Sequence, residues 1–129
     1  MLHLTKVAYG AQSLEEVLGW WRERGEEYAH VTRHRPKRAE EIAGLGSLFW
    51  IVKHRLVART PILRFEEAES GRTAIVLSTQ VVPVAPKLRR AHQGWRYLEG
   101  KDAPPDLIGE TAADLPPLLA LELRELGLL

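Results

Sequence analysis

Two short segments of the chain hold most of the residues that could bind a ligand. The first segment contains four cations within six positions, Arg33, Arg35, Lys37 and Arg38. Arginine presents a planar fork of N–H donors that matches phosphate oxygens and can also stack on a flat ring. The pattern therefore predicts contact with an anionic ligand. The alternative is a solvated basic surface whose charges pair with neighbouring glutamates.

The second segment combines an amide, a glycine, two aromatic rings and an arginine, in the order Gln93, Gly94, Trp95, Arg96 and Tyr97. Glycine lets the backbone approach a ligand closely. A base that stacks on Trp95 or Tyr97 would gain about 1–3 kcal/mol. Gln93 could read a base edge with its amide, and Arg96 could contact phosphate. The alternative is a structural role, in which Trp95 anchors an irregular segment in the core.

Other kinds of site find less support in the sequence. The five histidines, at positions 3, 30, 34, 54 and 92, show no recognised metal-ligand spacing, so we predict no metal and no cofactor. There is no cysteine for a thiolate or disulfide site. Ser47 lacks the following glycine that a nucleophile elbow needs. His34 or His92 among arginines would tend toward the neutral form and could act as a base.

The composition is that of an ordinary folded domain. The chain has 129 residues, of which 45% are hydrophobic and 27% are charged. We therefore predict a single domain over residues 1–129. Without a recognisable signal peptide or a membrane-length apolar run, we expect a cytoplasmic protein that has no membrane partner. The net charge is only +1, but residues 30–64 contain eight Lys or Arg and two acids, which is compatible with a positive surface. The alternative, which charge counts alone favour, is that basic strands and acidic helices balance one another.

Hydrophobic patterning predicts an α+β fold. Five runs favour strands, at residues 2–8, 28–32, 47–54, 55–65 and 73–82. Ser13 and Glu16 form a capping-box pattern that begins a helix. A short helix is expected over residues 37–43, and a leucine-rich helix after Asp114. Prolines 83, 86, 104 and 105 predict a long irregular stretch. We expect about five strands in a mixed or mostly antiparallel sheet, curled in the manner of a barrel, with an N-terminal and a C-terminal helix beside it.

Several pieces of the sequence, taken together, resemble an uncharacterised bacterial family known as domain of unknown function 1489. They include Thr32-Arg33, residues 36–38, residues 46–50, residues 93–98, and Leu126-Gly127 near the end. This resemblance implies a small cytoplasmic protein and supplies no activity, cofactor or catalytic residue. The helix, glycine step and consecutive strands also resemble, more faintly, RNA-associated barrels of the PUA-like type, which is a likeness of architecture alone.

Three functions are compatible with these observations. The first is a module that binds nucleic acid or a nucleotide, with RNA preferred, through the residues of the two segments. The second is a small enzyme that holds a phosphorylated or carboxylated metabolite with an arginine clamp and uses His34 or His92 as base. The third is a protein-interaction module, such as a homodimer, that uses Trp20 or the C-terminal helix.

Overall fold

The computed structural model describes residues 1–22 and 24–107, and the described chain forms two α-helices and seven β-strands. Two 3-10 turns, Glu69–Gly71 and Gly100–Asp102, complete the regular structure. The helix predicted after Asp114 lies outside the described residues. In chain order the elements are β1 (Leu2–Val7), α1 (Leu14–Arg22), β2 (Glu27–Thr32), α2 (Ala39–Ile42), β3 (Ser47–Val52), β4 (Arg55–Glu67), β5 (Thr73–Ser78), β6 (Val82–Leu88) and β7 (Trp95–Glu99).

The strands form one mixed sheet in the order β2-β5-β4-β3-β1-β7, with β6 paired to β4. Strands β1 and β3 run parallel, and the other pairs are antiparallel. The long strand β4 pairs with β6 through its first half and with β5 through its second half. Strands β5 and β6 therefore follow one another along β4, opposite β3.

The sequence predicted five strands, and all five are present, but the prediction of about five was too low. The two strands that the sequence did not predict are β6 and β7, which lie in the stretch that the prolines predicted to be irregular. Pro83 and Pro86 fit into β6 because this strand pairs along its length only with β4 among the described strands. On its other side β6 meets residues 105–107, with a hydrogen bond from Leu107 N to Pro83 O of 3.0 Å.

The expected barrel-like sheet is also corrected, because the sheet is open. Strands β2 and β7 stand at the two ends of the strand order, and no backbone ladder joins them in residues 1–22 and 24–107. The sheet nevertheless curves enough to bring residues of β2 close to β3. The His30 ring meets the Trp50 ring edge-on, with centroids 6.1 Å apart. The curvature leaves an unclosed gap between β2 and β7.

The main core fills the concave side of this sheet. All six residues of β3 are buried, as expected for a central strand covered on both faces. Trp50 lies 5.8 Å from Trp21 of α1, centroid to centroid, and donates a 3.0 Å hydrogen bond from Nε1 to Thr60 Oγ1. The helix α1 thus packs on the sheet through its apolar stripe, which includes Leu14 and Val17.

The start of α1 confirms the predicted cap. Ser13 Oγ accepts a hydrogen bond from the Glu16 backbone N at 3.3 Å. The Glu16 carboxylate accepts a second bond from the backbone N of Gln12 at 3.0 Å. The bond to Ser13 Oγ is the one that the capping box predicts, whereas the carboxylate of Glu16 reaches the N–H of Gln12 instead of that of Ser13. Neither of the two helices in the described residues is long and apolar enough to span a bilayer.

Candidate functional site

The two segments singled out in the sequence meet around one concavity of about 750 Å³. This volume lies within the usual range of small-molecule sites, roughly 300–1,000 Å³. We call it the basic–aromatic site. Its lining residues are Thr32, Arg33, His34, Gln93, Gly94, Trp95, Arg96 and Tyr97.

The site forms where the end of β2 approaches β7 across the gap in the sheet. Trp95 Nε1 donates a 3.1 Å hydrogen bond to the carbonyl oxygen of His34. The backbone N of Arg38 donates a 3.2 Å bond to the hydroxyl of Tyr97. Two side-chain to backbone bonds therefore hold the arginine segment against β7, in place of a strand ladder.

Trp95 and Tyr97 have both of the roles that the sequence left open. Each ring is half-buried and packs against the main core, and each also lines the concavity. The rings meet edge-on with centroids 5.1 Å apart. Because Tyr97 and the bond from Trp95 to His34 fix the indole, any exposed part of its surface is presented in a defined orientation.

Arg38 acts as a structural link rather than as part of the concavity lining. Its guanidinium binds the Glu41 carboxylate through two bonds of 2.6 and 2.8 Å, and it lies 3.6 Å from Glu99 of β7. Hydrogen bonding to Arg38 lowers the pKa of Glu41, and the same contact raises the pKa of Arg38. The alternative role considered for this segment, pairing with neighbouring glutamates, therefore applies to Arg38.

The other three predicted cations of the first segment differ in position. Arg33 lines the concavity, whereas Arg35 and Lys37 do not. The Arg35 guanidinium carbon lies 5.9 Å from the centroid of the Phe65 ring, and Lys37 is exposed. None of the five salt bridges among the described residues involves Arg33, Arg35 or Lys37. Arg33 is therefore the best placed of the three to bind an anion.

The turn before β7 shapes the opposite wall. Arg96 Nη1 donates bonds of 3.0 Å to the carbonyl oxygens of Gln93 and Trp95, which closes this turn while the side chain stays exposed. Gly94 has φ +64°, a conformation that favours glycine, and open space lies where a side chain would project. Its backbone is thus accessible from the concavity.

The two histidines considered as bases occupy different places. His34 lines the concavity, and His92 does not. His92 Nε2 shares a 2.7 Å hydrogen bond with the buried hydroxyl of Thr5. Burial first, and then the charges of Arg96, Arg89 and Lys6, lower the pKa of His92. His92 is therefore held neutral behind the site rather than in it.

Three lining residues were not in the predicted set of ligand contacts, namely Thr32, His34 and Gly94. Thr32 and His34 flank Arg33 in the sequence, and Gly94 lies between Gln93 and Trp95, so their sequence neighbours were the available signal.

Within residues 1–22 and 24–107, no group of three His, Asp or Glu side chains is placed to hold a metal ion.

Arg59 has a structural role. Its guanidinium pairs with the Asp106 carboxylate at 2.8 Å and donates a 2.9 Å hydrogen bond to Ser47 Oγ.

The sequence profile of the family described as "Protein of unknown function (DUF1489)" matches residues 4–129. The chain belongs to this family. The match spans both segments of the basic–aromatic site, so the site is part of the DUF1489 region. No curated protein and no solved structure matches the chain.

Replacing Tyr97 by phenylalanine tests how the basic–aromatic site of this DUF1489 protein is held together. The variant loses the bond from Arg38 N to the Tyr97 hydroxyl, and we expect the free energy of unfolding to fall by about 0.5–1.5 kcal/mol. Urea denaturation measures this change. The control is Tyr9→Phe, because Tyr9 is 62% exposed. Equal effects of the two substitutions would contradict a structural role for the Tyr97 hydroxyl.

Proposed function

We propose that the chain binds nucleic acid or a nucleotide, with RNA preferred, at the basic–aromatic site. The observation that carries this proposal is the convergence of Arg33 with Trp95 and Tyr97 around one concavity. An arginine that can reach a phosphate and rings that can stack on a base are the two elements such ligands need.

Different lining residues suit the phosphate and the base of a nucleotide. Arg33 is exposed and forms no salt bridge within the described residues, so a phosphate would not have to displace a carboxylate of that part of the chain. Gln93 is exposed and can bond a base edge through its amide. The accessible backbone at Gly94 supports close approach of the ligand. Arg96 adds positive charge to the same wall.

RNA is preferred because single-stranded bases can leave their stacks and reach aromatic side chains. The site lies at the open ends of the sheet, where an extended ligand could enter and leave. The positive local charge would also speed association at low salt. A cytoplasmic location is proposed along with this function and agrees with a sequence without cysteine.

A second candidate is an enzyme that acts on a small phosphorylated or carboxylated metabolite. It is favoured by one observation, the presence of His34 beside Arg33 in the same concavity. In this function Arg33 would clamp the anionic group and His34 would move a proton. Turnover of a bound small anion that disappears in His34→Gln would select this candidate over a binding module.

Replacing Arg33 by alanine is the direct test of the proposed function. We expect affinity for single-stranded RNA to fall about tenfold at low salt, and the slope of log affinity against log salt to flatten by about 0.7, as for one lost phosphate contact. Fluorescence anisotropy with labelled single-stranded and duplex RNA, between about 50 and about 200 mM salt, measures both quantities.

The matched control is Lys101→Ala. Lys101 is an exposed cation in the 3-10 turn beyond the far end of β7 from Gly94, so its loss changes the net charge equally without altering the site. This variant should bind RNA as the wild type does. Absence of RNA or nucleotide binding by the wild type at low salt would refute the proposed function.

A further inference from the structure

A second arginine stands beside Arg33 at the end of the sheet. The last residue pair between β2 and β5 is Thr32 with Thr73. Arg33 follows Thr32 at the bend that ends β2, and Arg72 precedes Thr73, so the two arginines leave the last pair at the same end of the ladder. Only Arg33 lines the basic–aromatic site. Two cationic side chains are therefore available at one end of the sheet.

Neither arginine forms a salt bridge within the described residues. The backbone of Arg72 is fixed, because its N donates to Glu69 O at 3.2 Å and its O accepts from Ala68 N at 2.8 Å. A phosphate that reaches both arginines would not have to displace a salt-bridged carboxylate of the described residues.

A second concavity, of about 1,030 Å³, begins on the other side of Arg72. Its floor is apolar and includes Val31, whose side chain is 48% exposed, and its rim carries Glu67 and Glu69. The end of β2 thus separates two concavities, with Thr32 and Arg33 lining one and Val31 lining the other. The arginine pair lies at the boundary between them.

We propose that Arg33 and Arg72 clamp one phosphodiester of a single-stranded RNA that spans both concavities. One base would occupy the basic–aromatic site, and the next would lie on the apolar floor beside Val31. This inference rests on the proposed function and specifies its ligand as a strand of at least two nucleotides, rather than an isolated mononucleotide.

The two glutamates suggest which base the second concavity takes. Carboxylates repel phosphate, so Glu67 and Glu69 keep the backbone of the strand at the arginine pair. They accept hydrogen bonds from exocyclic amino groups, such as that of cytosine, which uracil lacks. We therefore expect the second position to favour cytosine or adenine over uracil.

The experiment compares adenosine monophosphate with RNA dinucleotides and hexanucleotides on the wild type, Arg72→Ala and Arg33→Ala. Arg72→Ala should weaken binding of the oligonucleotides about five- to tenfold and flatten the salt slope by about 0.7, as for one phosphate contact. It should leave adenosine monophosphate binding unchanged, whereas Arg33→Ala should weaken both ligands. The Glu67→Gln/Glu69→Gln double variant should lose the preference for cytosine over uracil.

Lys101→Ala again provides the charge control and should match the wild type with every ligand. If Arg72→Ala binds oligonucleotides as tightly as the wild type while Arg33→Ala does not, the clamp is wrong and the proposed function stands. If oligonucleotides bind no more tightly than adenosine monophosphate, the two-nucleotide ligand is also refuted. If neither ligand binds the wild type at low salt, the proposed function itself fails.

Discussion

Replacing Gly46 by alanine is expected to lower the free energy of unfolding by about 3 kcal/mol, the upper part of the usual range for overpacking. An alanine Cβ at this position would collide with the backbone carbonyl of Leu2 and would lie 3.2 Å from Cγ2 of Ile42. The glycine cannot shift to relieve this collision, because its N donates to Ile42 O at 2.7 Å and its O accepts from Ile62 N at 2.9 Å. Urea denaturation measures the loss.

Gly25 provides the matched control. No atom lies within 4 Å of the position that an alanine Cβ would take there, and its backbone lies outside the positive-φ region. Gly25→Ala should therefore change the free energy of unfolding by less than about 1 kcal/mol. If Gly46→Ala were no more destabilising than Gly25→Ala, the close packing of β1 against the turn before β3 would be wrong.

Hydrophobic patterning was sufficient to locate the five core strands. The run from Leu48 to Val52 is apolar at every position, and only a strand covered on both faces buries it completely. The cap at Ser13 was also readable, because its hydrogen bonds join residues only a few positions apart. Such local or strongly periodic signals need no knowledge of the tertiary structure.

The sequence predicted that the third strand continues to residue 54, but β3 ends at Val52 because a turn follows it. Lys53 and His54 form the tight turn between β3 and β4 with φ of 49° and 61°, although neither is glycine. The turn is held from outside: Arg89 N donates to His54 O at 2.8 Å, and Ala91 N donates to His54 Nδ1 at 3.1 Å. Contacts between residues so far apart in sequence leave no local signal. The sequence also did not predict β6. Its prolines are compatible with a strand because β6 pairs along its length with β4 alone among the described strands, and this pairing is not visible in the local sequence.

The composition of the candidate site was predictable, but its assembly was not. Arginine and tryptophan in two segments indicated ligand contact, and the structure brings Arg33 and Trp95 to one concavity. Which cations pair with carboxylates depends on neighbours in space, so Arg38 could not be separated from Arg33 by sequence. Arg72 could not be associated with the site either, because its place beside Arg33 follows from the register of β2 and β5.

Acid is expected to destabilise the protein as the pH falls from 6.5 toward 4, with His30 as a main cause. Burial first, and then the charge of Lys6, lower the pKa of His30 from its ordinary 6.5 to about 4. The unfolded chain therefore takes up a proton in this window while the folded chain does not, so folding loses stability as the pH falls. The lowering of the His30 pKa from 6.5 to about 4 corresponds to at most about 3.4 kcal/mol, at 1.36 kcal/mol for each pKa unit, and the partial exposure of the ring reduces this to about 2 kcal/mol.

The His30→Phe variant isolates this effect, because phenylalanine keeps a flat ring against Trp50 and does not titrate. Urea unfolding of both proteins at pH 8 gives the difference due to packing alone. Between pH 6.5 and 4 the variant should lose about 2 kcal/mol less stability than the wild type. Some acid sensitivity should remain, because burial also lowers the pKa values of His3 and His92. If the two proteins lost stability in parallel over this window, His30 would not be held neutral against Trp50, and the curvature that brings β2 over the core would be wrong.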